Sequence, residues 1–265
     1  MRNRKRKRIG FGPRQIIFCL FAAVFVAGAV LYGNVQLSHR RAESSIKSLQ
    51  TRVDTNRADT SDGLVTEAVG ASLAGSVPAE NPVDFAALRE INSDICGWLY
   101  AEGTRLDYPL LHTDNNEYYL DHLYDGEKND YGSLFLDYRN SGDFTDKNTV
   151  IYGHHMRNGS MFGLLEEYKS QAFYEAFPTM VLHTPGGSYR IELICGTEES
   201  GNEEFVRFRF DSEEDFMQYV AAFRERSTFQ SDVTLEPGDR IISLCTCSYK
   251  NQNARYMLIG RLGKY

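Results

Sequence analysis

The sequence predicts a mainly β domain, a barrel or a sandwich, standing behind one apolar helix near the N-terminus. Two observations carry this. Eight short runs rich in β-branched and aromatic residues, each closed by Gly, Pro, Asn or Asp, fill most of the chain after residue 82. Residues 16–33 form a stretch of eighteen without a charged or strongly polar side chain, about the minimum that crosses a hydrocarbon core as a helix.

The first fourteen residues hold seven basic side chains and no acidic one. Ahead of an apolar span, that cluster predicts a cytoplasmic N-terminus (residues 1–15), a single-pass helix in the cell membrane (16–33) and an extracytoplasmic remainder. A cleaved signal peptide shares the basic start and apolar core. The apolar segment is long for one, however, and no convincing small-x-small cleavage site follows it. The whole chain has net charge −7 and the first fourteen residues carry +7, so residues 15–265 carry −14. An exported part this acidic argues against a nucleic-acid partner.

Residues 34–82 are rich in Ser, Thr, Ala, Arg and Asp and nearly free of aromatics, which predicts an extracytoplasmic stalk. Within it, residues 37–53 suit a polar helix and residues 54–81 a flexible spacer. The folded domain is expected over residues 83–265. It opens on an amphipathic helix over 83–92, with Phe85, Leu88 and either Ile91 or Ile95 at helical spacing. Strands follow near 97–101, 105–111, 133–137, 149–154, 179–184, 188–196, 240–247 and 255–261. Two helices interrupt them. One covers residues 160–177; the other runs over 212–226 from a Ser212 N-cap and an acidic first turn, turning Phe216, Val220 and Phe223 to the core.

Chemistry concentrates at the end of the chain. The apolar run from Asp239 gives way at Cys247 to the polar stretch 248–253, which places that cysteine where solvent and substrate reach it. A thiol is mostly protonated at neutral pH, so a nucleophilic cysteine needs a base or a cation beside it. His154 closes an upstream strand after Gly153, and Arg255 opens the strand after the cysteine. The five cysteines are too few and too irregularly spaced for a disulfide framework. Cys245-Thr-Cys247 with His154-His155 is a poor match to zinc-ligand spacing, so no metal is expected, and Cys245 reads as a packing residue. Neighbours on a strand face opposite sides, so His155 should point away from Cys247.

Together these pieces resemble the class B sortases, membrane-anchored cysteine transpeptidases of Gram-positive bacteria. The resemblance rests on Thr149-Val-Ile-Tyr-Gly-His-His155 followed by Asn158-Gly-Ser-Met-Phe162, on Leu244-Cys-Thr-Cys247, and on Arg255. Gly97-Trp-Leu99, Leu106-Asp-Tyr-Pro109 and the helix before the cysteine strand also match. Cys245 departs from the pattern, which often has a small residue such as Ser there. The resemblance implies a closed eight-stranded barrel and a catalytic set of His154, Cys247 and Arg255, with no cofactor. It also implies a reaction in two halves. Cys247 attacks the Thr carbonyl of a Pro-x-Thr type sorting signal on an exported protein. An amine of a peptidoglycan stem or cross-bridge, or of another surface protein, then resolves the thioacyl enzyme. Arg255 would hold the substrate backbone or the oxyanion, a backbone N–H near Ser248 would add a donor, and residues 207–225 would wall the motif site. A Cys/His peptidase or wall amidase would use the same dyad but release its product to water. A silent envelope-binding domain would not need Cys247.

Overall fold

The computed structural model describes residues 13–67, 81–200, 205–247 and 254–264. The chain divides between Ser44 and Ser45 into two units. Helix α1 (Pro13–Glu67) begins in the first, where Phe18, Phe21, Phe25 and Leu31 are largely exposed. Its stretch Ile17–Asp54 is long and apolar enough to be a candidate membrane span. Most of the expected cytoplasmic segment (1–12) and part of the spacer (68–80) lie outside the described residues. The polar helix expected over 37–53 forms, but it continues to Glu67, into the stretch whose composition reads as a flexible spacer. No proline falls between Pro13 and Pro78, and once nucleated a helix propagates at little cost per residue.

The second unit begins inside α1. Ile46, Leu49 and Val53, at i, i+3 and i+7, are buried. The hydroxyls of Ser45 and Tyr124 hydrogen-bond at 2.8 Å, and Gln50 Nε2 donates to the Asp107 carbonyl at 2.6 Å. A domain cut at residue 83 therefore leaves out a helical segment that this unit packs. Leu49→Ala is expected to cost about 2–3 kcal/mol of unfolding free energy, read as a lower urea midpoint for the purified protein. An unchanged midpoint would mean that the segment contributes no packing.

Helix α2 (Phe85–Ile91) starts where the Asp84 carboxylate accepts from the Ala87 amide. It buries Phe85 and Leu88 and leaves Ile91 exposed, while Ile95 belongs to the first strand. Among the described residues eight strands form: β1 (Ile95–Tyr100), β2 (Asp107–Leu111), β3 (Leu134–Leu136), β4 (Asn148–His154), β5 (Thr179–Thr184), β6 (Gly187–Ser200), β7 (Arg240–Cys247) and β8 (Ala254–Lys264). They close into a barrel in the order β1-β2-β3-β4-β7-β8-β6-β5. The β2–β3 and β4–β7 pairs are parallel and the rest antiparallel. Leu99, Leu110, Leu136, Ile151, Leu182, Leu193 and Leu258 are fully buried in its core. Between barrel and sandwich, closure is the outcome, and it removes the open sheet edges.

The single helix expected over 160–177 is instead a 3-10 helix, Phe162–Lys169, followed by α3 (Gln171–Ala176). Ser170 between them is extended, and Phe162, Gly163, Leu164 and Leu165 are buried in succession rather than along one stripe. Helix α4 (Glu213–Arg224) starts as expected, with Ser212 Oγ accepting from the Asp215 amide at 3.1 Å. It lays the buried Phe216, Val220 and Phe223 toward the barrel and makes its contacts with β6.

Candidate active site

The site follows from which strands become neighbours. Strand β4 pairs in parallel with β7 over seven positions, from Asn148 opposite Ile241 to His154 opposite Cys247. The two strand ends thus meet, and parallel neighbours lie about 4.8 Å apart. Strand β7 pairs antiparallel with β8, Cys245 opposite Met257. Two residues further along that register stand Cys247 and Arg255. The fold therefore brings His154, Cys247 and Arg255 to one end of three adjacent strands. The side chain of Cys247 and the loop 248–253, with the amide donor expected near Ser248, lie outside the described residues.

His154 is buried at 3% exposure. Its Nε2 lies 2.6 Å from the Leu120 carbonyl oxygen. A carbonyl only accepts, so in the neutral ring Nε2 carries the hydrogen and the lone pair falls on Nδ1. Burial pushes the His154 pKa below its ordinary value of 6.5, against the opposing effects of the Leu120 hydrogen bond and the Asp130 charge. At neutral pH the ring is thus an uncharged base with a fixed tautomer. His155, by contrast, is partly exposed, and its Nε2 lies 3.3 Å from Glu166.

Three residues without any side-chain chemistry of their own set this histidine. Leu120 ends a short 3-10 helix, Tyr118–Leu120, that sequence reading missed. Gly132 has φ +61°, and a Cβ there would lie 2.8 Å from His154 Nε2 and from the Leu120 oxygen. Gly153 packs so tightly that a Cβ would run into Leu134 and Phe162. A glycine before a strand-ending histidine is a visible signal for such close approach; the Leu120 carbonyl leaves none.

Behind β4 lies a second buried polar group. Asp137 is fully buried and accepts from Arg139 Nε (2.9 Å), Asn116 Nδ2 (2.9 Å) and Tyr152 OH (3.1 Å). Burial alone would raise this carboxyl, but the Arg139 and Asn116 hydrogen bonds hold it below the usual range. Arg139 in turn lies 4.1 Å from the centre of the Phe208 ring, and Asn148 Nδ2 donates to the Arg207 carbonyl at 2.8 Å. These contacts fasten the segment leading into α4 onto β4. Cys245 is buried in β7 between Tyr152 and Met257. Among the described residues no group of three or more His, Cys, Asp or Glu side chains is arranged to hold a metal ion.

No family model matches the chain. It is, however, 37% identical to Sortase B of Listeria monocytogenes over 177 residues, covering 66% of this chain and 72% of that protein. It is 32% identical to Sortase B of Staphylococcus aureus over 182 residues, 68% of this chain and 75% of that one. A Staphylococcus aureus sortase B–substrate complex superimposes with a TM-score of 0.74 and 26% identity, over 86% of this chain and 99% of that one. Fold and relatives define a sortase transpeptidase, a cysteine enzyme that anchors surface proteins. The chain belongs to the sortase B family.

Proposed function

We propose that the protein cleaves a Pro-x-Thr type sorting signal with Cys247 as nucleophile, His154 as base and acid, and Arg255 as the cation of the site. The observation that carries this reading is the register that sets His154 beside Cys247 and leads Arg255 to the same strand end. The Cys247 sulfur attacks the Thr carbonyl carbon while its proton passes to the lone pair of the neutral His154 ring. The resulting oxyanion faces the fixed charge and planar donors of Arg255. His154 returns the proton to the departing amine as the C–N bond breaks, which leaves a thioester on Cys247. An incoming amine then forms the new amide and restores the thiol. Solved sortase B relatives include a complex with substrate and one with triglycine, which supports a peptide donor and an amine acceptor for this chain as well. The acceptor is an amino group of a peptidoglycan stem or cross-bridge, or of another surface protein.

Residues 16–33 anchor the enzyme in the membrane with the N-terminus in the cytoplasm, on the strength of the apolar helix and its basic flank. The remainder then faces the exported proteins it acts on. The test is mass spectrometry of the detergent-solubilised protein with a Pro-x-Thr peptide. An adduct on Cys247 is expected, and added triglycine should divert the acyl group from water to an amide. No adduct with any such peptide would remove the substrate assignment. A product that stays purely hydrolytic with every amine tried would contradict the acceptor half.

A further inference from the structure

The tautomer of His154 is set by a backbone carbonyl, so the ring is only as well fixed as the peptide that carries that carbonyl. Leu120 ends a 3-10 helix of three residues, Tyr118–Leu120. Such a turn holds itself weakly. The Leu120 amide donates to the Glu117 carbonyl at 3.1 Å and the Asp121 amide to the Tyr118 carbonyl at 3.4 Å. Asn115 Oδ1 accepts from the Glu117 and Tyr118 amides at 2.9 and 2.8 Å and fastens the start of the turn. The end that faces His154 needs an anchor of its own.

Tyr119, directly before Leu120, is the buried residue of this turn, at 1% exposure. Its hydroxyl donates to Asp94 Oδ2 at 2.7 Å and accepts from Asn92 Nδ2 at 2.9 Å. Its carbonyl accepts from the Ser133 amide at 3.0 Å, and Ser133 follows Gly132, whose missing side chain leaves room for His154 Nε2. Asn92 and Asp94 belong to the short connection between α2 and β1. Asn92 Nδ2 also donates to the Tyr124 carbonyl at 2.8 Å, and the Tyr124 hydroxyl meets Ser45 of α1. A phenylalanine at 119 would fill the same space, so packing alone does not call for the hydroxyl. With its donor and its acceptor both engaged, the phenol adds direction: it fixes where the ring ends and hence how the next peptide is turned.

We propose that Tyr119 is a positioning residue for His154, acting through the Leu120 carbonyl, with Asp94 as the carboxylate that holds the phenol. Imidazole, carbonyl, phenol and carboxylate form one line of support from the reacting strand end to the connection before β1. The proposal rests on the reading of His154 as the base of the site. It adds that the orientation of this base is supplied from outside the strands that carry the reacting groups.

The experiment uses the detergent-solubilised full chain with two readouts. One is the single-turnover acylation rate and KM with a Pro-x-Thr peptide. The other is the exchange with water of the His154 Nε2 hydrogen, followed by NMR on protein carrying isotope-labelled histidine and assigned by its loss in His154→Ala. Tyr119→Phe is expected to slow acylation about tenfold and to speed that exchange about tenfold or more, with KM within about twofold because a buried phenol is out of the peptide's reach. Asp94→Ala should match it, and Asp94→Asn, which keeps an acceptor for the phenol, should recover most of both readouts. The double variant Tyr119→Phe with Asp94→Ala should lose less than about twofold beyond either alone, since both changes break one contact. Ile191→Val, a core truncation on β6, is the control for stability: it lowers the thermal midpoint and should leave rate and exchange at parent values. Rates that simply follow the thermal midpoint across all these variants, the control included, would make Tyr119 structural and overturn the proposal. Parent-like rate and exchange in Tyr119→Phe, beside a crippled His154→Ala, would overturn it and leave the site reading intact. Full activity of His154→Ala would remove the site reading itself.

Discussion

Cys247→Ala is expected to reduce cleavage of a sorting-signal peptide to background, a loss of about 10⁴-fold or more, and to abolish the covalent adduct. Cys245→Ala should stay within about tenfold of the parent. The two positions differ physically although they are two residues apart. Cys245 is fully buried, paired with Tyr152 on one side and Met257 on the other, and has no route to solvent. Cys247 closes the strand beside His154, where the ladder ends. Removing the buried thiol leaves a small cavity and a modest stability cost. Under the proposed mechanism, removing the Cys247 thiol leaves no atom to carry the acyl group. Peptide cleavage followed by chromatography, with intact-mass analysis of each variant, separates the two. An inactive Cys245→Ala beside an active Cys247→Ala would reverse the assignment.

What could be read from the sequence was the set of strands and their chemistry-bearing ends; what could not was their adjacency. All eight strands are signalled locally, by β-branched runs stopped by turn residues, and each forms. That β4 and β7 lie side by side depends on a crossover of more than eighty residues, and no local pattern reports it. His154 and Cys247 were legible as two strand ends, but their meeting is a property of the closed barrel. Strand β6 outran its expected end at residue 196 for a related reason. Thr197-Glu-Glu-Ser200 is polar by composition, yet the ladder with β8 continues through it to set Glu199 opposite Arg255 and Ser200 opposite Ala254. Along α1, Ile46, Leu49 and Val53 have helical spacing, but three aliphatic residues among many polar ones resemble a solvated stalk until a partner surface is known. The anchors of His154 were invisible because backbone supplies them: a carbonyl at Leu120 and the missing side chain of Gly132.

His154→Ala is expected to lose about three or more orders of magnitude in acylation rate, and His155→Ala less than about tenfold. The buried ring holds its Nε2 hydrogen on Leu120, so its other nitrogen is the one able to take the thiol proton. His155, partly exposed and near Glu166, has no such tautomer fixed by the barrel. Acid should weaken the enzyme in a defined direction. Burial depresses the folded His154 pKa below 6.5, so the folded chain binds this proton less readily than the unfolded one. As pH falls below 6.5 the unfolded state takes up the proton first, and this group's contribution to stability declines until the folded pKa is passed. Activity through the neutral ring should hold from pH 7 to below 6.5, then fall as the ring protonates, since an imidazolium cannot accept the thiol proton. Single-turnover acylation measured from pH 5 to 8 tests this, with thermal midpoints recorded at each pH to separate titration from unfolding. An acid limb with its midpoint above 6.5 would contradict a buried, neutral base, and equal losses for the two histidine variants in folded protein would remove His154 from its role.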